Sequence, residues 1–443
     1  MLLGAISVLA PIEPLYDAWA WLVWGRELTE LDLDTSAGPS WKPLPVLIAA
    51  PLTLLGDPAP DLWLVVARAA WLAVPVLAWR LAARLEGSGG VAAAVAGLAA
   101  AIGVLLLADE FTSWTRQGAG GLVEPMLAAI VLGAIEAALA ARTRLALGLA
   151  GAACLLRPEA WPFAALFAWR EARAGRLAPL TVAAGAAGIA ALWFVPDLIG
   201  AGNALEGAER ARGADNTPLE VLGWAAEMPL AALWAGVAIA VWPWRGRLGT
   251  PAACLAGGAG AWIALVTVMT AADYAGLPRF MAPAAAVLCA VGAAGLVRGV
   301  RAVPGRAALA TGLAALAFGA QAAARAADIP GELERIRGDS VAVADLADLT
   351  ESERAAFLSC GGLWTSVFLT HTPLAWNLDL ALGDVVATGL VPPPDGRLVI
   401  GPETRAALAA RMRAGGNPLA AGGGWEVFGT GSCAPGQPPA AAP

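Results

Sequence analysis

The sequence predicts a polytopic α-helical membrane protein of about eleven spans, ending in a small extracytoplasmic α/β domain. Three observations predict it. Hydrophobic residues make up 58% of the 443 and charged residues 14%, too little charge to wet a soluble surface. Apolar runs of bilayer-crossing length recur from the start to about residue 327. Beyond that point the pattern changes to short alternating runs and helix signals.

The apolar runs fall at 1–12, 61–79, 91–108, 122–141, 145–156, 161–169, 178–199, 228–244, 251–272, 280–297 and 307–327. The first is too short to cross alone, so either the true start lies elsewhere or its helix continues into the stretch 14–24. The fifth and sixth are also short. Arg157-Pro158-Glu159 interrupts them, giving two tilted spans or one broken hairpin. Arg68 lies inside the second run and must face the bundle interior or a wet cavity.

Basic residues set the orientation. Every second connection carries them: Arg80 and Arg84; Arg142 and Arg144; Arg170, Arg173 and Arg176; Arg245 and Arg247; Arg298, Arg301 and Arg306. The alternate connections carry acids: Asp17, Asp32 and Asp34; Asp109, Glu110 and Glu124; Glu206, Glu209 and Asp215; Asp273. This alternation places the N-terminus in the cytoplasm. The long 17–60 loop and the C-terminal domain then lie outside it.

The chain divides into three parts: a transmembrane part over 1–327, an extracytoplasmic α/β domain over 328–434, and a Pro/Ala-rich disordered tail over 435–443. Within the domain, 340–346, 363–370, 397–400 and 425–430 alternate like strands. Thr350 with Glu353 forms a capping-box signal before a short helix, and 402–413 reads as a second helix. Cys154, Cys254 and Cys289 sit in apolar runs as core residues. Cys360 and Cys433 share the oxidising side after the last span, which predicts a disulfide between them. No cysteine spacing suggests zinc.

Several function classes drop out. No basic block or aromatic-basic surface fits a nucleic acid. No P-loop or placed dinucleotide fingerprint is present. His371 is the single histidine, so no Ser-His-Asp set or histidine metal cluster can form in the membrane part. Its expected role is structural, in a polar loop of the tail.

Chemistry is concentrated in the first outer loop. Asp17 follows the first apolar run, where a carboxylate is costly unless paired or wetted. It reads as a general base or metal ligand, or else as an ordinary helix-end carboxylate. Lys42 is the single lysine among 28 basic side chains. A compact ammonium suits a phosphate oxygen, although it also serves as an interfacial anchor. Tyr16 and Trp41 flank these two, in a loop that also carries Trp19, Trp21 and Trp24. Arg116 and Glu124 bracket a Gln-Gly-Ala-Gly-Gly stretch, Arg157 and Glu159 share a short turn, and Arg279 opens the tenth run. Arginines on a face that should lack them suggest an anionic ligand, or local Arg–Glu pairing.

These residues together resemble the GT-C membrane glycosyltransferases, particularly the protein-mannosyltransferase and aminoarabinose-transferase branches. Asp17 stands where that family carries a catalytic Asp in its first outer loop. Lys42-Pro43-Leu44-Pro45 roughly matches a basic-Pro-Pro-Leu element before the second span. The stretch from Arg116 to Glu124 is similar to the outer loop after the third span, and 277–283 to an Arg-aromatic-x-x-Pro opening of a late span. The resemblance covers roughly residues 10–300. It implies a GT-C fold and sugar transfer from a polyprenyl-phosphate donor to a glycan, lipid or protein acceptor in the cell envelope. It assigns Asp17 as base and Lys42, Arg116 and Arg279 to the donor phosphate. Ala18 follows Asp17 where the family often has a second acid, which argues against a divalent metal. A lipid or solute transporter, or a non-catalytic envelope-assembly protein, stands as the alternative.

The alternating arginines make a direct prediction. A cysteine placed at Gly246 should be shielded from an impermeant thiol reagent in intact cells, and one at Gly415 labelled. Equal labelling at both sites would contradict the orientation.

Overall fold

The computed structural model describes residues 2–7, 12–213, 215–242, 248–303, 305–387, 395–402, 404, 406–431 and 433. Arg245, Arg247 and the expected disordered tail 435–443 lie outside the described residues. Among the described residues, every named element before residue 359 is a helix, and each apolar run of the sequence carries a helix over at least part of its length. Helix α1 (Leu2–Ser7) is followed by α2 (Tyr16–Glu30), α3 (Pro43–Thr53), α4 (Ala59–Glu86) and α5 (Gly90–Leu105). The short α6 (Trp114–Ala119) precedes α7 (Val123–Leu139), α8 (Thr143–Cys154), α9 (Trp161–Arg173) and α10 (Pro179–Gly200). Then come α11 (Glu206–Arg210), α12 (Pro218–Glu227), α13 (Ala231–Val241), α14 (Thr250–Ala271), α15 (Ala282–Arg301) and α16 (Ala307–Ala326).

Among the described residues, five helical stretches are long and apolar enough to cross a bilayer. They are α4, α10, α14, α15 with its preceding turn, and α16 run together with the helix after it; counting the bent pair α12–α13 as one span adds a sixth. The expected count of about eleven therefore rests partly on the shorter apolar helices α5 and α8, while α3, also short and apolar, falls inside the expected 17–60 loop. At about 1.5 Å per residue, the 12-residue α8 reaches roughly 18 Å, short of a ~30 Å core. The first run does not continue into the next as one helix, because residues 12–15, with Pro14, are non-helical before α2 begins.

Helix α15 is the axis of the bundle. From Ala282 to Gly295 every residue is buried, and the sequence there is almost entirely Ala, Gly and Val. Small residues let backbones approach in a membrane, where the hydrophobic effect does not draw helices together. A Cβ on Gly236 of α13 would run into the Gly292 carbonyl of α15, so this crossing tolerates no larger side chain. At the other extreme, α16 has no buried residue and faces outward along its length. Cys289 is buried on α15 and Cys154 on α8, but Cys254 is exposed on α14, correcting its expected place in the core. Arg68 turns inward, as its cost in lipid demands. Its guanidinium donates to the carbonyls of Ala119, Ser7 and Ile12 at 2.8, 2.8 and 3.0 Å.

The tail begins with α17 (Ile329–Ser352) and α18 (Arg354–Leu358), followed by a five-stranded sheet with α19 (His371–Asn377) and α20 (Ala406–Gly415). The strands are β1 (Gly362–Thr365), β2 (Val385–Ala387), β3 (Gly396–Ile400), β4 (Asn417–Gly422) and β5 (Trp425–Thr430), in the order β2-β1-β3-β5-β4. β1 pairs in parallel with β2 and β3, while β5 is antiparallel to β3 and β4. The expected strand over 340–346 is helical instead. Ile336, Ser340, Leu346, Leu349 and Thr350 are buried at helical spacing, and that period overrides the local Val/Ala alternation. Thr350 lies inside α17 and bonds the Ala347 carbonyl, so the expected capping box with Glu353 does not form. β1 stops at Thr365 because residues 368–370 turn into a 3-10 helix. His371 sits not in a polar loop but, buried, at the first position of α19.

Cys360 and Cys433 form a disulfide, with Cα atoms 5.8 Å apart. It closes the chain end against the start of β1 across a sequence separation of 73. Non-reducing peptide mapping should recover the two peptides linked. Replacing both cysteines by alanine should destabilise the tail by about 4 kcal/mol in denaturant titrations. Recovery of an unlinked Cys360 peptide from protein purified without reductant would contradict the bridge.

Candidate functional site

Five separate segments bring charged side chains to one place, each at or beside the end of a helix. Asp17 is in the first turn of α2. Lys42 is the residue before α3, extended at φ −136°, with Pro43 fixing the first helical position. Glu124 is in the first turn of α7. Arg157 and Glu159 lie in the break between α8 and α9, where Pro158 opens a 3-10 turn. Arg279 is in the 3-10 turn Pro278–Met281 that leads into α15. The Leu44 N–H donates to the Leu155 carbonyl at 3.1 Å, tying the Lys42 segment to the Arg157 segment.

The charges alternate. Lys42 Nζ is 3.6 Å from Asp17 Oδ2, and Arg279 Nη2 is 3.8 Å from the same oxygen. Arg279 Nε is 3.4 Å from Glu124 Oε1, and Arg157 Nη1 is 3.8 Å from it. Arg157 Nη2 is 3.4 Å from Glu159 Oε1, which also accepts from the Tyr274 hydroxyl at 2.8 Å. Three cations thus meet three carboxylates, and the interior stays near neutral. The Arg157 guanidinium stacks on the Phe280 ring at 3.3 Å, and the Lys42 ammonium lies 5.5 Å from the Trp21 ring. The pairs are loose. Glu124 Oε1 and Oε2, Arg157 Nε and Nη2, and Arg279 Nε are buried without a hydrogen-bond partner. Such a cluster has donors left for an anion.

In front of the cluster lies a cavity of about 990 Å³. Tyr16, Asp17, Trp41, Lys42, Arg116, Arg157 and Arg279 line it, whereas Glu124 and Glu159 stand behind the wall, 1% and 0% exposed. Burial pushes the Asp17 carboxyl up, but the charges of Lys42 and Arg279 outweigh it and hold the group below the ordinary carboxylate range. Burial pulls the Lys42 ammonium below its usual value, against the opposing charge of Asp17. The Trp41 indole donates to the Leu192 carbonyl at 3.0 Å, holding the loop against α10. Arg116 lines the cavity but is also paired, at 2.5 Å, with Asp339 of α17. Phe280, the aromatic of the Arg-aromatic-x-x-Pro element, also lines the cavity, as do residues not singled out from sequence: Tyr274, Arg210, Arg212 and, from the tail, Phe368 and Leu369. No short-range pattern marks them; their role follows from the fold alone.

The carboxylates do not fit a divalent cation. Each is already neutralised by a lysine or an arginine, and cations crowd the cavity wall. Among the described residues, no group of three His, Cys, Asp or Glu side chains is placed to share an ion.

No family model matches the chain, and no curated protein matches it in sequence. Solved structures match it in fold. ArnT from Cupriavidus metallidurans bound to undecaprenyl phosphate aligns with a TM-score of 0.58 at 13% identity, over 98% of this chain and 97% of that one. The same protein in the apo state aligns with a TM-score of 0.57 at 14% identity, over 96% of each chain. At that identity the shared property is the fold, which is the GT-C fold the resemblance implied.

The cluster's stability is testable apart from any activity. Glu124→Gln leaves the buried Arg157 and the half-buried Arg279 with one carboxylate fewer, and should cost about 3–5 kcal/mol. Glu206→Gln at the partly exposed Arg210 pair should cost under about 1 kcal/mol. Denaturant unfolding of the detergent-solubilised protein checks both, and equal costs would contradict the network.

Proposed function

We propose that the protein is an inverting glycosyltransferase that moves a sugar from a polyprenyl-phosphate donor to an extracytoplasmic acceptor. The observation that carries this reading is the meeting of Asp17 with Lys42 and Arg279 at the wall of one large cavity. The shared fold with a structure of ArnT holding undecaprenyl phosphate supports the class of donor. A transporter would string its charges along a path through the membrane. Here they gather at helix ends around one pocket, as an enzyme requires. With the N-terminus in the cytoplasm, that pocket opens to the outer face.

In this reading the Asp17 carboxylate takes the proton of an acceptor hydroxyl as its oxygen attacks the anomeric carbon. The bond from that carbon to the phosphate oxygen breaks on the opposite side, and configuration inverts. Negative charge grows on the departing polyprenyl phosphate, where Lys42 and Arg279 stabilise it, with Arg116 nearer the mouth. Tyr16 and Trp41 shape the wall. Glu124 holds Arg279 and Arg157 from behind, and Glu159 holds Arg157.

The ion pairs also couple donor binding to base strength. Without donor, Lys42 and Arg279 face Asp17 and weaken it as a base. A phosphate arriving between them draws both cations to itself and adds its own negative charge, so the carboxylate becomes more basic. The base is then strengthened when the donor is present.

Transfer of label from polyprenyl-phosphate sugars by purified protein tests the reading. Asp17→Asn should lower kcat by about 10²–10⁴-fold with folding intact, and activity within a few-fold of the parent would reject Asp17 as base. Lys42→Ala should weaken donor use more than acceptor use; unchanged donor KM and kcat would reduce Lys42 to an anchor. The pH profiles carry a further signature. The acid limb of kcat/KM, which reports the free enzyme, should fall below the ordinary carboxylate range. The limb of kcat, which reports the donor complex, should fall at higher pH. Coincident limbs would contradict the coupling.

A further inference from the structure

We infer that His371, through its hydrogen bond to Tyr16, is a positioning residue that fixes the first turn of α2 and thereby the Asp17 carboxylate. The inference rests on the reading of Asp17 as general base. The start of α2 lacks the usual support. Its N-cap is Leu15, with no side-chain cap bond, although the first turn of a helix leaves its N–H groups unpaired. The C-terminal domain supplies support from more than 350 residues away in sequence. The Thr372 hydroxyl donates to the Tyr16 carbonyl at 3.0 Å. The Phe368 ring stacks on the Tyr16 ring at 4.6 Å. His371 Nδ1 is 3.2 Å from the Tyr16 hydroxyl.

The tautomer follows from the other ring nitrogen. His371 Nε2 is 2.7 Å from the Leu382 carbonyl, which only accepts, so Nε2 carries the hydrogen. In the neutral ring Nδ1 is then an acceptor, and the Tyr16 hydroxyl must donate to it. That orients the phenol and locks it to the tail. Farther along α2, Arg26 donates to the Leu380 carbonyl at 2.8 Å and to the Trp376 carbonyl at 3.3 Å, so the helix is gripped at both ends. Asp17 is the next residue after Tyr16. A rotation or slide of the first turn moves its carboxylate relative to Lys42 and Arg279, and misplacement by about 1 Å can cost roughly 10²-fold in rate. His371 does not line the cavity, so it acts through Tyr16 and not on a substrate.

Two substitutions separate the two bonds of the ring. In His371→Asn the amide oxygen takes the place of Nδ1 and keeps an acceptor for Tyr16. In His371→Gln the amide nitrogen takes the place of Nε2 and keeps the Leu382 bond. Tyr16→Phe removes the hydroxyl and leaves His371 intact. The full-length protein in nanodiscs is measured by hydrogen exchange of the peptide spanning 15–24, and by label transfer from polyprenyl-phosphate sugars. H371Q and Y16F should raise exchange by about tenfold or more, and lower kcat by about 10–100-fold with donor KM within about twofold. H371N should stay within about threefold of the parent on both readouts. The Y16F–H371Q double variant should lose no more than either single variant.

Parental exchange and kcat in both Y16F and H371Q would overturn the inference. So would rescue by Gln and not by Asn, which would assign His371 to the Leu382 anchor alone. Asp17→Asn measured in parallel keeps the two levels apart. Loss of transfer in D17N with parental Y16F and H371Q overturns this inference only. Parental transfer in D17N overturns the base reading and the inference with it.

Discussion

A charge removed from water must be met by its opposite, and that requirement organises this molecule. Lys42, Arg157 and Arg279 are buried or half-buried against Asp17, Glu124 and Glu159, and every one of the six but Glu159 pairs with a charge from another segment. The ends of α2, α3, α7 and α8 and the head of α15 must therefore converge. Small residues allow it. The Ala/Gly surface of α15 lets α13 approach closely enough to form a tight core, and the polar ends of the surrounding helices then meet at one side. In the proposed reading, the stability of the bundle and the chemistry of the cavity depend on the same six side chains.

Much of this was legible in the sequence. Apolar run length marked the helices, because spanning a bilayer without unpaired backbone leaves few alternatives. The conspicuous residues were legible too. A lone lysine among arginines, a carboxylate after an apolar run and arginines on the acidic side of the charge pattern all mark groups that cost energy where they stand. Of the residues singled out from sequence, Tyr16, Asp17, Trp41, Lys42, Arg116, Arg157 and Arg279 line one cavity, and Glu124 and Glu159 back it. The pairing of Cys360 with Cys433 followed from compartment and elimination.

What the sequence hid has physical reasons. The period of 340–346 was ambiguous, since Val and Ala alternate there while a longer helical spacing sets what is buried. β2 was missed because it has only three residues, and β4 because it is built from Asn, Pro, Leu, Ala and Gly with little strand propensity. The span count stayed loose because α8 and α9 are too short to cross alone. Phe368, Leu369 and His371 could not be linked to the site from sequence, since nothing local records that the tail folds back onto α2. Seen in the structure, that contact makes the soluble domain a wall of the cavity.

The central claim is that Lys42 and Arg279 release Asp17 by taking up the phosphate of a polyprenyl-phosphate ligand. A cryo-EM structure of the full-length protein with added undecaprenyl phosphate tests it most directly. The account predicts phosphate density within hydrogen-bond distance of Lys42 Nζ and the Arg279 guanidinium, with the Asp17 carboxylate separated from both. Density for the phosphate elsewhere, with the Lys42–Asp17 pair still closed, would contradict it.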